Sequence, residues 1–392
     1  MEKIKVLFYN GQLFMGGIER VAVSYITELS KDKDIELFVV IKENDMERNV
    51  FLKYLPKNIN VQFIKTEEMV SLREKVSKKR KNIFWKIVYL FLINYERIYM
   101  KHWLKKFNDK NTFDLIIDFD MSLGKYIQLL DGIKLGWVHF SLKFKKQNKN
   151  KSIRFEKRLK KYNKIITICD EMKEEALNLY GLSNEKVERL YNPFDFENIK
   201  KQSENISLTA EEQNLLNNKY MVAVSRLVKQ KGREDLIDIY SILKNKYKIK
   251  EKLYILGDGP EKEALSKKIK ELDLETDIFL IGQKDNPFIW MKNAEVFLHT
   301  SYGEGLPTVF LESMILGTPV ISYDCPTGPK DILSNNEYGY LVETGNKQKF
   351  AFIVKTFLDN KEEGQLKLNK FYKEKLQEFY SKSIIEKVKK MR

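Results

Sequence analysis

Glu304-Gly305-Leu306-Pro307-Thr308-Val309-Phe310-Leu311-Glu312 is the stretch that decides how this chain is read. Two carboxylates stand eight residues apart, with a Gly-Leu-Pro turn in front and the apolar run Val309-Phe310-Leu311 between them. Glu295-Val296-Phe297-Leu298-His299-Thr300 precedes it as a candidate strand, and Pro319-Val320-Ile321-Ser322-Tyr323 follows as the next. A strand, a glycine-bearing turn and a helix start together present free backbone N–H groups to a phosphate. Pro307 has no N–H, so the phosphate-facing amides would be those of Leu306, Thr308 and Val309. Glu304 falls in the turn, and Glu312 lies about two helical turns further on. Carboxylates accept hydrogen bonds in pairs, so both suit the vicinal hydroxyls of a sugar or ribose better than a phosphate.

Outward from this motif, short apolar runs alternate with helical patterns, which predicts parallel sheets covered by helices. The strand candidates begin at Val6–Tyr9, Glu36–Ile41, Val61–Ile64, Leu115–Phe119, Leu135–Phe140, Ile165–Cys169 and Val187–Tyr191. They continue at Met221–Ser225, Leu253–Leu256, Ile278–Ile281, Val296–His299, Val320–Tyr323 and Tyr340–Val342. A chain of 392 residues exceeds what one core supports. The pattern resets near Asn192-Pro193-Phe194-Asp195, and a polar stretch of low order then runs to about Lys219. The expectation is an α/β protein of two Rossmann-like domains, residues 1–193 and 194–370, facing across a cleft. Ligands of such sheets bind outside the carboxyl ends of the strands.

Net charge is +15, and its placement is uneven. Residues 71–161 hold 24 Lys plus Arg against 8 Asp plus Glu, a surplus of 16, so the rest of the chain sums to −1. The surplus is interleaved with bulk: Lys78-Lys79-Arg80-Lys81 leads into Phe84-Trp85-Lys86-Ile87-Val88-Tyr89-Leu90-Phe91, and Lys143–Lys151 is rich in lysine. Such a mixture suits the headgroup layer of an anionic membrane, where each basic residue contributes about 1 kcal/mol. A buried helix with a basic outer face is the other reading of Phe84–Ile93. Nucleic acid ranks last, because no recognised nucleic-acid motif accompanies the charge. No run of 18 apolar residues occurs, so no span is expected, and the N-terminus reads as a first buried strand rather than a signal peptide. Cys169 and Cys325 have no metal-ligand spacing and read as buried, reduced thiols of a cytoplasmic protein.

Other constellations point to an anionic ligand. Phe14-Met15-Gly16-Gly17-Ile18 follows the first strand and opens a helix, so Gly16 and Gly17 would let the backbone approach a diphosphate. It is not G-x-G-x-x-G, and a plain tight turn is the alternative. In Ser225-Arg226-Leu227-Val228-Lys229-Gln230-Lys231-Gly232, Arg226 and Lys231 straddle a turn and can address one anionic group. Fixed cations there favour a transition state in which leaving-group charge accumulates. Asp118-Phe119-Asp120 imitates a metal-binding Asp-x-Asp but reads as strand-end carboxylates. Arg226, Lys231 and helix N-termini can take over the charge role of a cation, so no metal and no cofactor is implied. His102, His139 and His299 are the three histidines; His102 and His299 read as structural.

With its flanks, the nine-residue stretch resembles the E-x7-E motif of retaining glycosyltransferases of the GT-B fold, family 4. Gly317-Thr318-Pro319-Val320-Ile321 and Asp324-Cys325-Pro326-Thr327-Gly328-Pro329 resemble members that build bacterial surface polysaccharides. The resemblance covers residues 220–345 well and the remainder loosely. It implies that a nucleoside-diphosphate sugar, UDP-sugar by the resemblance around Asp324–Pro329, donates to a polyprenyl-diphosphate-linked saccharide at the inner face of the cell membrane. Glu304 would bind hydroxyls of the transferred sugar and Glu312 the ribose, with Gly305 in the turn. Arg226 and Lys231 would hold the diphosphate, and His139 would orient the donor or stabilise charge. The Gly16-Gly17 loop would contact the donor diphosphate or the acceptor. Gln283 and Lys284 lie where the family reads the nucleobase, Gly257 and Gly259 serve backbone geometry, and the last helix, within 371–392, would pack back on the first domain. The implied mechanism is front-face substitution, with the leaving phosphate assisting deprotonation of the acceptor. Two rivals share these features: a sugar-nucleotide epimerase of the same fold, and a non-catalytic scaffold.

Overall fold

The computed structural model describes residues 3–143, 149–204 and 208–392, so most of the lysine-rich run 143–151 lies outside the described residues. Each apolar run named above forms a strand. The first seven are β1 (Ile4–Asn10), β2 (Ile35–Glu43), β3 (Val61–Lys65), β4 (Leu115–Asp118), β5 (Ile133–Val138), β6 (Lys164–Thr167) and β7 (Val187–Arg189). They make one parallel sheet in the order β3-β2-β1-β4-β5-β6-β7. The next six are β8 (Tyr220–Val224), β9 (Lys252–Leu256), β10 (Ile278–Gly282), β11 (Val296–His299), β12 (Val320–Asp324) and β13 (Tyr340–Glu343). These form a second parallel sheet ordered β10-β9-β8-β11-β12-β13. Central strands such as Leu115-Ile116-Ile117 and Val320-Ile321 are buried on both faces, which is why they read as unbroken apolar runs. Strand order reverses at β1/β4 and at β8/β11, the positions where such sheets open a crevice at their carboxyl ends.

Two compact units result. One is built from residues up to Ile168, Met172–Phe194 and Phe379–Arg392; the other from Cys169–Glu171 and Asp195–Glu378. Residues 371–374 finish the helix Lys361–Glu374 in the second unit, with Phe371 buried there. Only from Phe379 does the chain belong to the first unit. There the helix Ser381–Lys389 presents Lys389 to Asp32 at 3.2 Å and Asp34 at 2.8 Å. The stretch expected to be low in order instead carries the helices Phe196–Glu204 and Ala210–Leu216. Phe196, Ile199 and Ser203 make a buried seam on the first, and Thr209 with Glu212 forms a capping box that starts the second. Both signals were present in the sequence beneath its polar composition.

In the first unit, helix α1 (Gly17–Lys31) follows β1, and helices α2 (Glu67–Lys78) and α3 (Ile83–Lys110) follow β3. The buried residues of α3 are Glu96, Met100, Leu104 and Phe107, none of them before Glu96. Over residues 83–98 the polarity is inverted: Ile83, Phe84, Ile87, Leu90, Phe91, Tyr95 and Ile98 are each between 49% and 72% exposed. A buried helix is therefore excluded. Lys79 lies over the Trp85 ring at 4.7 Å and Arg80 over Tyr89 at 4.5 Å, so the basic turn covers the start of the apolar face. No helix among the described residues is long and apolar enough to cross a membrane.

A buried charge network ties α2 and α3 to the sheet edge. Lys65 at the end of β3 meets Glu43 of β2 at 2.9 Å and Glu96 of α3 at 2.6 Å. Arg73 of α2 meets the same carboxylates at 2.6 and 3.3 Å. Burial would raise the Glu43 carboxyl, but Arg73 and Lys65 reverse this and bring it down to about 2. Removing one partner of such a network leaves buried charge uncompensated. Lys65→Ala should cost about 3–5 kcal/mol of unfolding free energy in a denaturant titration, and Arg73→Ala less, because Arg73 is the more exposed cation.

Candidate active site

Three loops converge at the carboxyl ends of β8, β11 and β12. The loop after β8 carries Ser225–Gly232, the loop after β11 carries Thr300–Pro307, and Cys325–Gly328 follows β12. Tyr302 N–H donates to the Gln230 carbonyl at 2.9 Å, and Gln230 Nε2 donates to the Gly303 carbonyl at 2.8 Å. Gly232 has φ 58, and a Cβ there would strike the Thr300 carbonyl, so only glycine lets the two loops meet this closely. From the third loop, the Pro326 carbonyl accepts the Glu304 N–H at 3.2 Å, and the Thr327 hydroxyl donates to the Glu304 carbonyl. Glu304 is thus fixed by backbone on two sides.

The structure brings Lys231 and Glu304 together. Lys231 Nζ lies 2.6 Å from Glu304 Oε1 and 2.7 Å from Oε2. His299, the last residue of β11, adds its Nε2 at 2.8 Å from Oε1. Burial would raise the Glu304 carboxyl; the His299 hydrogen bond and the Lys231 charge outweigh it and hold the group well below the usual carboxylate range. Arg233 stands behind, buried, donating from Nε to Ser225 Oγ at 3.0 Å and from Nη1 to Thr300 Oγ1 at 3.4 Å. Its Nη2 has no partner among the described residues. Burial lowers its pKa to about 10, opposed by the Glu304 charge, so it stays cationic at neutral pH. One carboxylate among two cations leaves this pocket a net positive charge, which suits a phosphate-bearing ligand.

The other expected residues of the second unit lie on its loops and on the helix after the motif. Thr308 and Val309 open the helix Thr308–Ile315, so their N–H groups are first-turn donors, and Leu306 sits just ahead. Glu312 is buried in the second turn of that helix, and Gly305 is half-buried in the turn before it. Arg226 is exposed on the loop after β8, and among the described residues it makes no ion pair. Gln283 is exposed just past β10, whereas Lys284 is paired with Glu212 at 2.6 Å. His299 and Arg233 escaped the sequence reading. A histidine closing an apolar run and an arginine inside a helix start both look structural until the loops fold over Glu304.

The first unit holds Gly16, Gly17 and His139. Gly17 opens α1, and the Glu19 carboxylate lies where a Cβ on Gly16 would be, so the helix places its own anion beside its N-terminus. His139 is buried after β5, with Nε2 2.7 Å from the Phe119 carbonyl. Burial lowers its pKa to about 4, so it is neutral at pH 7, and its Nε2–H is the donor because a carbonyl only accepts. Asp118 is buried and accepts from the Tyr162 hydroxyl; burial, then the charge of Asp120, pushes its carboxyl up. Asp120 accepts N–H bonds from Gly11 and Ser122 at 3.0 Å each. The Asp-x-Asp pair is thereby committed to its own loops. Cys169 and Cys325 are buried, and neither is in a disulfide.

Residues 207–375 match the family described as glycosyl transferases group 1. The matched stretch lies within the second unit. Over 203 residues the chain is 35% identical to the N-acetylgalactosamine-N,N'-diacetylbacillosaminyl-diphospho-undecaprenol 4-alpha-N-acetylgalactosaminyltransferase of Campylobacter jejuni, covering 52% of this chain and 51% of that protein. The chain spans about half the length of the curated relatives it matches. Among solved structures it is similar to S. aureus TarM in complex with fondaparinux, alpha-GlcNAc-glycerol and UDP (TM-score 0.72, 15% identity, 100% and 99% of the two chains covered). It is equally similar to Anabaena HepE with UDP and glucose (TM-score 0.72, 18% identity, 99% and 98% covered). The fold is GT-B.

The neutral state of His139 carries a pH signature. Its folded pKa of about 4 lies below the ordinary 6.5, so its contribution to stability is present above pH 6.5 and is lost as pH falls toward 4. His139→Gln should remove about 3 kcal/mol of the wild-type loss between pH 7 and 4, measured by denaturant titration at both pH values.

Proposed function

We propose that this chain is a retaining glycosyltransferase of family 4 that transfers a hexosyl residue from a UDP-sugar to a polyprenyl-diphosphate-linked saccharide during synthesis of a bacterial surface polysaccharide. The observation that carries the reading is the Lys231–Glu304 pair at the β8/β11 strand reversal, directly before the helix that begins at Thr308. Donor diphosphate would draw Lys231 Nζ and the exposed Arg226, with the N–H groups of Leu306, Thr308 and Val309 completing the cradle. Glu304 would then accept from hydroxyls of the transferred sugar, and Glu312 from the ribose, with Gln283 toward the base. Cation and helix N–H groups meet the leaving charge, so the proposed reaction needs no metal and no cofactor. His139 enters as a neutral orienting group rather than a proton carrier, and Gly16 and Gly17 as backbone that a diphosphate or acceptor can approach. The names of the relatives support the acceptor class: the Campylobacter protein is named for a diphospho-undecaprenol-linked acceptor.

The exposed stretch of α3 favours a transferase over an epimerase, because only an enzyme whose acceptor is held in lipid has use for it. Its apolar stripe, headed by Lys78, Lys79, Arg80 and Lys81, would lie in the headgroup layer on the cytoplasmic side of the cell membrane, a peripheral attachment. A scaffold that had lost its chemistry would not need Arg226, Lys231 and Glu304 together. No nucleic acid is expected as a partner.

UDP, GDP and ADP at 100 times the dissociation constant test the donor site by thermal unfolding. UDP should stabilise the chain by about 2.7 kcal/mol, and Arg226→Ala and Glu312→Ala should abolish that shift at the same concentration. No shift with any of the three nucleotides defeats the transferase reading. For the membrane surface, Phe84→Ser with Phe91→Ser should release the protein from vesicles of anionic phosphatidylglycerol without changing the UDP shift. Equal binding of wild type and variant contradicts the α3 assignment.

A further inference from the structure

We propose that His299 is a positioning residue for Glu304: its imidazole holds one carboxylate oxygen permanently, so that the other is presented to the transferred sugar when Lys231 leaves for the diphosphate. The inference rests on the donor reading above and assigns a division of labour within that site.

His299 is 1% exposed, and burial lowers its pKa, so the ring is neutral at pH 7. A carboxylate oxygen only accepts, so the proton sits on Nε2, 2.8 Å from Glu304 Oε1. That tautomer leaves Nδ1 as a bare acceptor, and Nδ1 is buried without a partner among the described residues. The imidazole thus spends its single N–H on Glu304 and tolerates an unsatisfied atom to do so. An apolar side chain would pack here without that cost, so packing alone does not explain a histidine. The ring plane is fixed from two elements. Phe310, in the helix after the motif, meets it edge-on at 5.0 Å and 84°, and Phe297 on β11 lies nearly parallel at 6.3 Å and 20°.

The two donors to Glu304 differ in kind. Lys231 is a flexible ammonium, 19% exposed, touching both oxygens; its charge is the one a diphosphate would recruit. His299 is rigid, neutral and buried, and it touches Oε1 alone. Withdrawal of Lys231 therefore opens Oε2 while Oε1 stays in place, and a sugar hydroxyl takes the vacated position. A site held to this precision by a locked neighbour is what orientation of a reacting sugar requires.

The test compares His299→Leu with His299→Gln in the full chain, Gln supplying an N–H near the position of Nε2. Dissociation constants are measured by calorimetry for UDP and for UDP-glucose, UDP-galactose, UDP-N-acetylglucosamine and UDP-N-acetylgalactosamine. The readout is the ratio of the tightest UDP-sugar constant to the UDP constant. His299→Leu should raise this ratio about tenfold while UDP itself binds as in wild type, and His299→Gln should restore the ratio to within about threefold. An unchanged ratio in His299→Leu, or equal impairment of the Gln variant, overturns the assignment. A parallel loss of UDP affinity in His299→Leu also overturns it, because the ring would then merely support the loop. Wild-type protein that binds neither UDP nor any UDP-sugar defeats the donor reading itself, a different failure from any of these.

Discussion

The Glu304 carboxylate is the constraint on which the rest of the site depends. A buried anion is stable only when paired and hydrogen-bonded, and its partners must come from elements already in place. Lys231 arrives from the loop after β8, His299 from the end of β11, and the backbone ties from the loop after β12. Those loops can meet only because β8 and β11 are neighbours despite their separation in sequence. Gly232, in a left-handed conformation against the Thr300 carbonyl, makes the approach close enough. Arg233 supplies a second positive charge from behind. Parallel-sheet topology, one glycine and one buried carboxylate thus depend on each other, and the excess of positive charge they leave is what makes the pocket suited to a diphosphate.

The first unit is organised around a different electrostatic problem. Its basic surplus falls within residues 71–161, a stretch that contains all of α3, and α3 inverts its polarity along its length. The helix is held down by Glu96 in the network with Lys65, Arg73 and Glu43. Residues 83–98 carry large apolar side chains outward. Together with the buried Met100, Leu104 and Phe107, the network fixes which face of α3 meets the sheet and so leaves the other turned to solvent. The same four charges that tie the sheet edge thus contribute to holding the stripe outward.

Much of this was legible from sequence. Central strands buried on both faces appear as continuous apolar runs, the edge strands β3, β7, β10 and β13 as short partly apolar ones, and the turn at Glu304–Pro307 announced its helix start. Polar helices were harder: Phe196–Glu204 shows only three buried positions, and Ala210–Leu216 shows none. The sequence around Phe84–Ile93 left two readings open, because the bulk of a side chain does not say which way a helix faces. Lys231 and Glu304 were expected in one site but serving different groups, and contact between them follows from topology, which spacing alone does not give. His299 was missed for the same reason. The residues before it are apolar, while its functional neighbour, Glu304, reaches it only through a loop.

A crystal structure of the second unit's site with UDP bound, determined on the full chain, addresses the Lys231–Glu304 relation directly. Lys231 Nζ should then lie within hydrogen-bond distance of a diphosphate oxygen and out of contact with Glu304 Oε2, with His299 still on Oε1. UDP bound elsewhere, with the Lys231–Glu304 pair intact, would contradict the assignment of this carboxylate to the donor sugar.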